Sequence, residues 1–135
     1  MNINKIDIVH FHRKRRKHSN YSIEGFYENV RNAIRDDVNI QVVNCPYMSN
    51  GILRRLFNSI YAVIKQKDIN HITGDVNYLN LFMNPHKNIL TILDCGLLND
   101  TKGIINNIYK LIWFTLPIRR AKYVVAISEA TKTEI

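Results

Sequence analysis

Three stretches decide the fold of this chain: His71-Ile-Thr-Gly-Asp-Val-Asn-Tyr-Leu-Asn-Leu-Phe-Met83, Thr91-Ile-Leu-Asp-Cys-Gly-Leu-Leu98, and Ile112 to Lys132, which reads IWFTLPIRRAKYVVAISEATK. Each carries a short apolar run that stops abruptly at small or polar residues, at Thr73-Gly74-Asp75, Asp94-Cys95-Gly96 and Ser128-Glu129. A helical pattern follows each stop. Buried parallel strands read this way when their carboxyl ends form a ligand-facing edge.

The same alternation extends to the N-terminus. Ile6 to Phe11 reads as a first strand and Asn39 to Cys45, stopped by Pro46, as a second. Ile69–Thr73, Ile89–Leu93 and Tyr123–Ile127 supply three more. Between them, Ser22 can cap a helix whose apolar stripe is Ile23, Phe26, Tyr27, Val30, Ala33 and Ile34. A second helix places Ile52, Leu53, Leu56, Phe57, Ile60, Val63 and Ile64 on its stripe, with Arg54, Arg55, Asn58 and Lys65 off it. Val76 to Met83 predicts a short helix. Leu97 to Gly103 predicts a loop, and Ile104 to about Leu116 a long apolar helix that Pro117 kinks or ends. The fold class expected is α/β: a Rossmann-like, doubly wound parallel sheet of about five strands, with strand one central.

The chain has 135 residues, 46% of them hydrophobic, enough for one domain with a true core and too few for two. Net charge is +8 and unevenly spread. Residues 1–20 hold six basic side chains against Asp7 alone, a net of +5, leaving +3 for the other 115. The block Arg13, Lys14, Arg15, Arg16 and Lys17 suits an anionic partner and equally suits a solvated loop. Cys45 and Cys95 each end a predicted strand. In a doubly wound sheet the first strand separates the second and fourth, so they are not expected to bridge, and reduced thiols fit the cytoplasm. The N-terminus lacks the apolar core of a signal peptide. The most hydrophobic run, Ile104 to Ile118, is shorter than the ~20 residues of a spanning helix.

Polar residues collect where the strands are expected to end: His12 and the basic loop, Gly74 and Asp75, Asp94, and Ser128 with Glu129. Gly74 allows a tight turn or close approach to a ligand. Asp75 can accept hydrogen bonds from ligand hydroxyls or cap the following helix; Asp94 can hold a ligand or tie down its loop. Ser128 and Glu129 read foremost as capping residues of a helix whose N-terminus could face an anion. His71, inside a strand, reads as a satisfied core histidine, and Tyr78 and Trp113 as packing residues. There is no Gly-x-Gly-x-x-Gly, no Walker loop, no Gly-x-Ser-x-Gly and no zinc spacing, so no metal site is expected.

The phrases His71-Ile-Thr-Gly-Asp-Val-Asn-Tyr78, Thr91-Ile-Leu-Asp-Cys-Gly96 and Arg119-Arg-Ala-Lys-Tyr-Val-Val-Ala-Ile-Ser-Glu-Ala-Thr-Lys132, with Ser22-Ile-Glu24 opening the first helix, resemble the N-terminal half of family-4 glycosyltransferases of the GT-B fold. The likeness covers nearly the whole chain, in order. It implies a two-domain enzyme that retains anomeric configuration and needs no metal. The N-terminal domain of such an enzyme mainly holds the acceptor, and the C-terminal domain holds the nucleotide-sugar. Residues 1–135 then correspond to the acceptor-side Rossmann-like domain, incomplete at its C-terminal end, with the nucleotide-sugar domain absent. Leu93 stands where the family often has His, and Asn77 where His is common. Leucine neither donates nor accepts a hydrogen bond. No catalytic residue is therefore carried over, and the chain is expected to be a fragment or decayed copy, inactive alone. The alternative is a non-catalytic module whose basic loop 13–17 binds nucleic acid or an anionic membrane. Nucleic acid is disfavoured because the run lacks interleaved aromatics. A membrane contact would add Lys110, Arg119, Arg120 and Lys122, placing the protein at the inner face of the membrane.

Overall fold

The computed structural model describes residues 5–15, 22–95 and 103–135. Arg16, Lys17, Gly96, the expected loop at 97–102 and the expected Ser22 cap lie outside the described residues or side chains. The elements run β1 (Ile6–His12), α1 (Ser22–Ile34), β2 (Val38–Asn44), α2 (Ile52–Ile64), β3 (Ile69–Ile72) and β4 (Asn88–Ile92). Then come α3 (Ile104–Lys110), a π-helical turn (Leu111–Thr115), α4 (Leu116–Arg120), β5 (Tyr123–Ala126) and α5 (Glu129–Glu134). Two 3-10 turns, Asn77–Leu81 and Pro85–Lys87, join β3 to β4.

All five strands are parallel, as the β-branched runs separated by helices require. Their order is β2-β1-β3-β4-β5. The central strand is therefore β3, not β1. Local pattern sets the number and sense of the strands, whereas order depends on which strand each crossover helix spans. Two strands, β1 and β3, separate β2 from β4, and Cys45 and Cys95 are free and buried. Burial alone pushes the Cys45 thiol up to about 12.

The pleat divides the sheet into two unlike faces. Val9, Phe11, Val43, Ile72, Leu90 and Ile92 point to one side and pack under α2, the 3-10 turn and the α3–α4 helix, with Leu79, Met83, Trp113 and Phe114. His10, His12, His71 and Thr91 point to the other side, where α1 lays Tyr27 across them. Of the expected α1 stripe only Tyr27 is fully buried, and Phe26 is 59% exposed.

The α2 helix is inverted relative to expectation. Leu53, Leu56, Phe57, Ile60 and Ile64 face outward, Leu53 at 70% exposure, while Asn58, Ser59 and Ala62 are buried. The cause is hydrogen bonding after β2. The Asn58 side-chain amide donates to the Tyr47 carbonyl (2.9 Å) and to the Tyr78 hydroxyl (2.9 Å), and its oxygen accepts from the Tyr47 amide (3.0 Å). Arg55 Nε donates to the Ser49 carbonyl at 2.8 Å. A buried backbone turn left unpaired costs ~1–3 kcal/mol per group. These bonds therefore outweigh any preference for turning the leucines inward.

Pro117 does not end its helix. The chain widens into the π turn just before it, the Leu116 amide reaching the Leu111 carbonyl, and continues to Arg120. Asn80 locks this segment down: its amide donates to the Pro117 carbonyl (2.6 Å) and its oxygen accepts from the Asn88 amide (2.6 Å).

The inversion makes opposite demands on two α2 positions. Asn58→Ala should lower the unfolding free energy in urea by ~2–3 kcal/mol. Leu53→Gln should change it by no more than ~0.5 kcal/mol. A large loss at Leu53 with none at Asn58 would mean that α2 packs through its apolar stripe.

Candidate functional site

The chain leaves β1 toward β2 on one side and returns to β3 on the other. This reversal opens a crevice at the carboxyl ends of β1 and β3, the place where ligands sit in open parallel sheets. A cavity of about 300 Å³ lies at these ends. Its walls are Arg13 and Lys14 after β1, Met48, Ser49 and Asn50 after β2, Asp75 after β3, Arg55 of α2, and Tyr109 and Trp113 of the α3–π segment.

The wall is built in layers. Trp113 stacks on Tyr109 with ring centroids 5.1 Å apart and planes 16° from parallel, and Tyr78 packs 5.0 Å from Trp113. The Arg55 guanidinium lies 4.7 Å from the Trp113 centroid, held there by its bond to the Ser49 carbonyl. Across the opening, Arg13 Nη1 meets Asp75 Oδ2 at 3.4 Å, and Arg13 Nε lies 4.0 Å from Glu24. Asp75 is largely exposed, and such a pair is worth only ~0–1 kcal/mol. Hydroxyl groups can therefore displace it at little cost. Trp113 and Tyr78 are buried, so the half-buried Tyr109 is the aromatic ring that a ligand in the cavity can reach, beside an arginine and a carboxylate. Among the described residues, no cluster of His, Cys, Asp or Glu side chains could hold a metal ion.

The expected edge residues fall into three groups. Arg13, Lys14 and Asp75 line the cavity. His12 and Thr73 lie at the adjoining strand ends, and His12 is occupied on both ring nitrogens. The Thr73 hydroxyl donates to the Phe11 carbonyl (3.0 Å), so it accepts from His12 Nδ1 (2.9 Å), and His12 Nε2 accepts from Arg31 (3.4 Å). His12 thus links the end of β1 to Thr73 after β3 and to Arg31 of α1. Asp94, Ser128 and Glu129 belong to the β4 and β5 ends and do not line the cavity. Ser128 caps α5, its Oγ accepting from the Thr131 amide at 3.1 Å, and Glu129 pairs with Lys132 at 3.5 Å.

Asp75 does not cap the 3-10 turn, whose N-terminus has no side-chain cap. Instead the Val76 amide donates to the Gly74 carbonyl across Asp75, a γ-turn that presents the carboxylate to the cavity. Gly74 does not occupy the left-handed region, and a Cβ there would meet nothing within 4 Å. Lys14 is also engaged, donating to the Pro46 carbonyl at 2.9 Å, while Arg15 is exposed. Leu93 lies elsewhere, in an apolar groove of about 450 Å³ with Ile23, Phe26, Tyr27, Val125 and Ile127. Asn77 is buried at the start of the 3-10 turn.

Sequence reasoning missed Arg55 and Tyr109 as site residues, whereas Trp113, 5% exposed and part of the core, is the packing residue expected of it. Arg55 lay off an apolar stripe, and the aromatics sat on a helical pattern that normally marks core. The π turn, a feature frequent at functional sites, was the signal that only the structure carries.

Fold and cavity together define a Rossmann-like α/β domain with a crevice at its topological switch point. No protein-family model, curated protein or solved structure matches the chain.

Beneath the crevice, His10, His12 and His71 crowd around Tyr27, with the His10 and His71 rings 5.1 Å apart and at 81°. His71 is satisfied by the Thr91 hydroxyl at 2.7 Å. Burial, reinforced by the neighbouring histidines and Arg31, holds His10 down at about 3 and His12 and His71 at about 4. Unfolded histidines take up protons near pH ~6.5, well before the folded ones. Stability is therefore complete above that pH and falls as pH drops toward 4. The melting temperature should hold steady from pH 8 to 7 and decline steeply between about 6.5 and 4. A flat profile across that window would show that the three rings are solvated.

Proposed function

We propose that this chain is the acceptor-side domain of a retaining glycosyltransferase of the GT-B type. The observation that carries the reading is the crevice at the β1/β3 switch point, where the half-buried Tyr109 ring, backed by the buried Trp113, lies beside Arg55, Arg13 and Asp75. Sugars present an apolar ring face and a rim of hydroxyls, and these residues match both. The resemblance of the strand-end phrases and the five parallel strands support the same reading. In such an enzyme the nucleotide-sugar is held by a second domain facing this crevice. Stabilisation of the leaving diphosphate is worth several kcal/mol in comparable sites, so residues 1–135 alone should transfer no sugar.

The basic-loop alternative draws less support. Arg13 is committed to Asp75 and Glu24, and Lys14 to the Pro46 carbonyl. Both side chains line the crevice.

Trp113 is the sole tryptophan, so its emission reports on the crevice. Titration with a panel of mono- and disaccharides and alkyl glycosides should shift that emission saturably. Asp75→Asn and Arg13→Ala should weaken the response roughly tenfold, as loss of about 1.4 kcal/mol of hydrogen bonding requires. Gly74→Ala should leave folding intact, so any loss of binding would mark close approach of ligand to that backbone. An emission spectrum unmoved by every saccharide would remove the carbohydrate reading.

Leu93 supplies a separate expectation. Fusion to a donor domain of a related enzyme should give low turnover with Leu93 and higher turnover with Leu93→His. Equal rates would show that leucine is compatible with transfer, and turnover by the unfused chain would overturn assignment of the donor site to another domain.

A further inference from the structure

One cation of the crevice has no counter-charge. Arg55 is half-buried, and among the described residues its hydrogen bonding is confined to Nε, which donates to the Ser49 carbonyl at 2.8 Å. Its guanidinium face rests over Trp113 at 4.7 Å and Tyr109 at 6.0 Å. These contacts use Nε and the flat face, so both Nη groups remain as donors at the cavity wall. Among the described residues Arg55 makes no ion pair, and residues 51–67, which include all of α2, contain no aspartate or glutamate. A charge drawn this far out of water is ordinarily paired, because its desolvation is costly.

The rest of the cavity wall has the same excess. Arg13, Lys14 and Arg55 stand against Asp75 alone, a surplus of two positive charges. Asp75 is already paired with Arg13 at 3.4 Å, which leaves Arg55 and Lys14 to a ligand. Lys14 gives one bond to the Pro46 carbonyl at 2.9 Å, and an ammonium has further donors. A dianionic phosphate monoester matches that surplus, whereas a carboxylate leaves one charge unmet. Arg55 is also preorganised for it. The Ser49 bond and the ring contact hold the guanidinium in place, so little side-chain freedom is lost on binding, and the free end of its fork fits two phosphate oxygens. A cavity of about 300 Å³ is at the small end of ligand pockets and suits one sugar ring with its phosphate.

We infer that the crevice selects a phosphorylated monosaccharide, with the Arg55 Nη groups and Lys14 gripping the phosphate and Asp75 and Arg13 meeting the hydroxyls. The inference rests on the carbohydrate reading of the same crevice and adds the anion to it.

Calorimetric titration of the 135-residue chain tests it. The probes are glucose, mannose and galactose, each free and as the 6-phosphate, with glucuronate and inorganic phosphate beside them. At least one 6-phosphate should bind about tenfold or more tighter than its free sugar, than glucuronate and than inorganic phosphate. Arg55→Gln should erase that ratio, and Arg55→Lys, which keeps the charge and loses the fork, should retain part of it. Lys14→Ala, on a separate segment, should lower the ratio roughly threefold, and it decides the matter if Arg55→Gln fails to fold by circular dichroism. Free sugars that bind as tightly as their phosphates would overturn the inference and leave the carbohydrate reading standing. So would glucuronate binding as tightly as the phosphates, or a ratio that survives in folded Arg55→Gln and in Lys14→Ala. Inorganic phosphate binding as tightly as every 6-phosphate, with no response to free sugars, would reduce the crevice to an anion site and remove both readings, as would no binding of any probe.

Discussion

The grip of Asn58 on the turn after β2 sets the rest of the structure. A buried amide that satisfies both the amide and the carbonyl of Tyr47, and the Tyr78 hydroxyl as well, cannot be turned outward without leaving both Tyr47 groups unpaired and the Tyr78 hydroxyl with Ser49 alone. That bond set orients α2 with its polar side inward. Arg55 is carried onto Trp113, Ser49 is fixed at the cavity wall, and Leu53 and Phe57 are left facing solvent. Crevice and apolar face are thus two consequences of one helix rotation.

The two faces of the sheet divide the labour between stability and chemistry. The apolar face supplies the hydrophobic core, a close-packed set running from Val9 to Phe114. The other face holds a neutral, interlocked group of histidines under α1. His12 is bonded on both ring nitrogens and His71 is held by Thr91, while the buried Nδ1 of His10 has no hydrogen-bond partner among the described residues. On the other side, the crevice is lined by a stacked aromatic wall, a cation over it, and a weakly paired carboxylate opposite. In the proposed reading these groups would hold a substrate in place while catalytic electrostatics come from elsewhere.

Leu93 fits this division. Its side chain closes an apolar groove between α1 and the β4–β5 edge, where Phe26 and Val125 are also found. Leu93 is half-buried there, and Tyr27 and Thr91 of the same lining are bonded to each other at 2.9 Å.

The sequence by itself determined five parallel strands and their helices, because the β-branched runs Ile6–Phe11, Asn39–Cys45 and Tyr123–Ile127 and the breaks after them are local signals. It also marked Arg13, Lys14 and Asp75 as edge residues and Ser128 as a cap, since strand ends and caps are read within a few positions. Strand order, the facing of α2, the π turn before Pro117 and the meeting of Arg55 with Tyr109 and Trp113 were decided only in three dimensions. Each depends on a bond between residues distant in the chain, such as Asn58 with Tyr78 or Asn80 with Pro117. The periodicity of a helix shows that it has two faces, but only its buried hydrogen-bond partners decide which face turns inward.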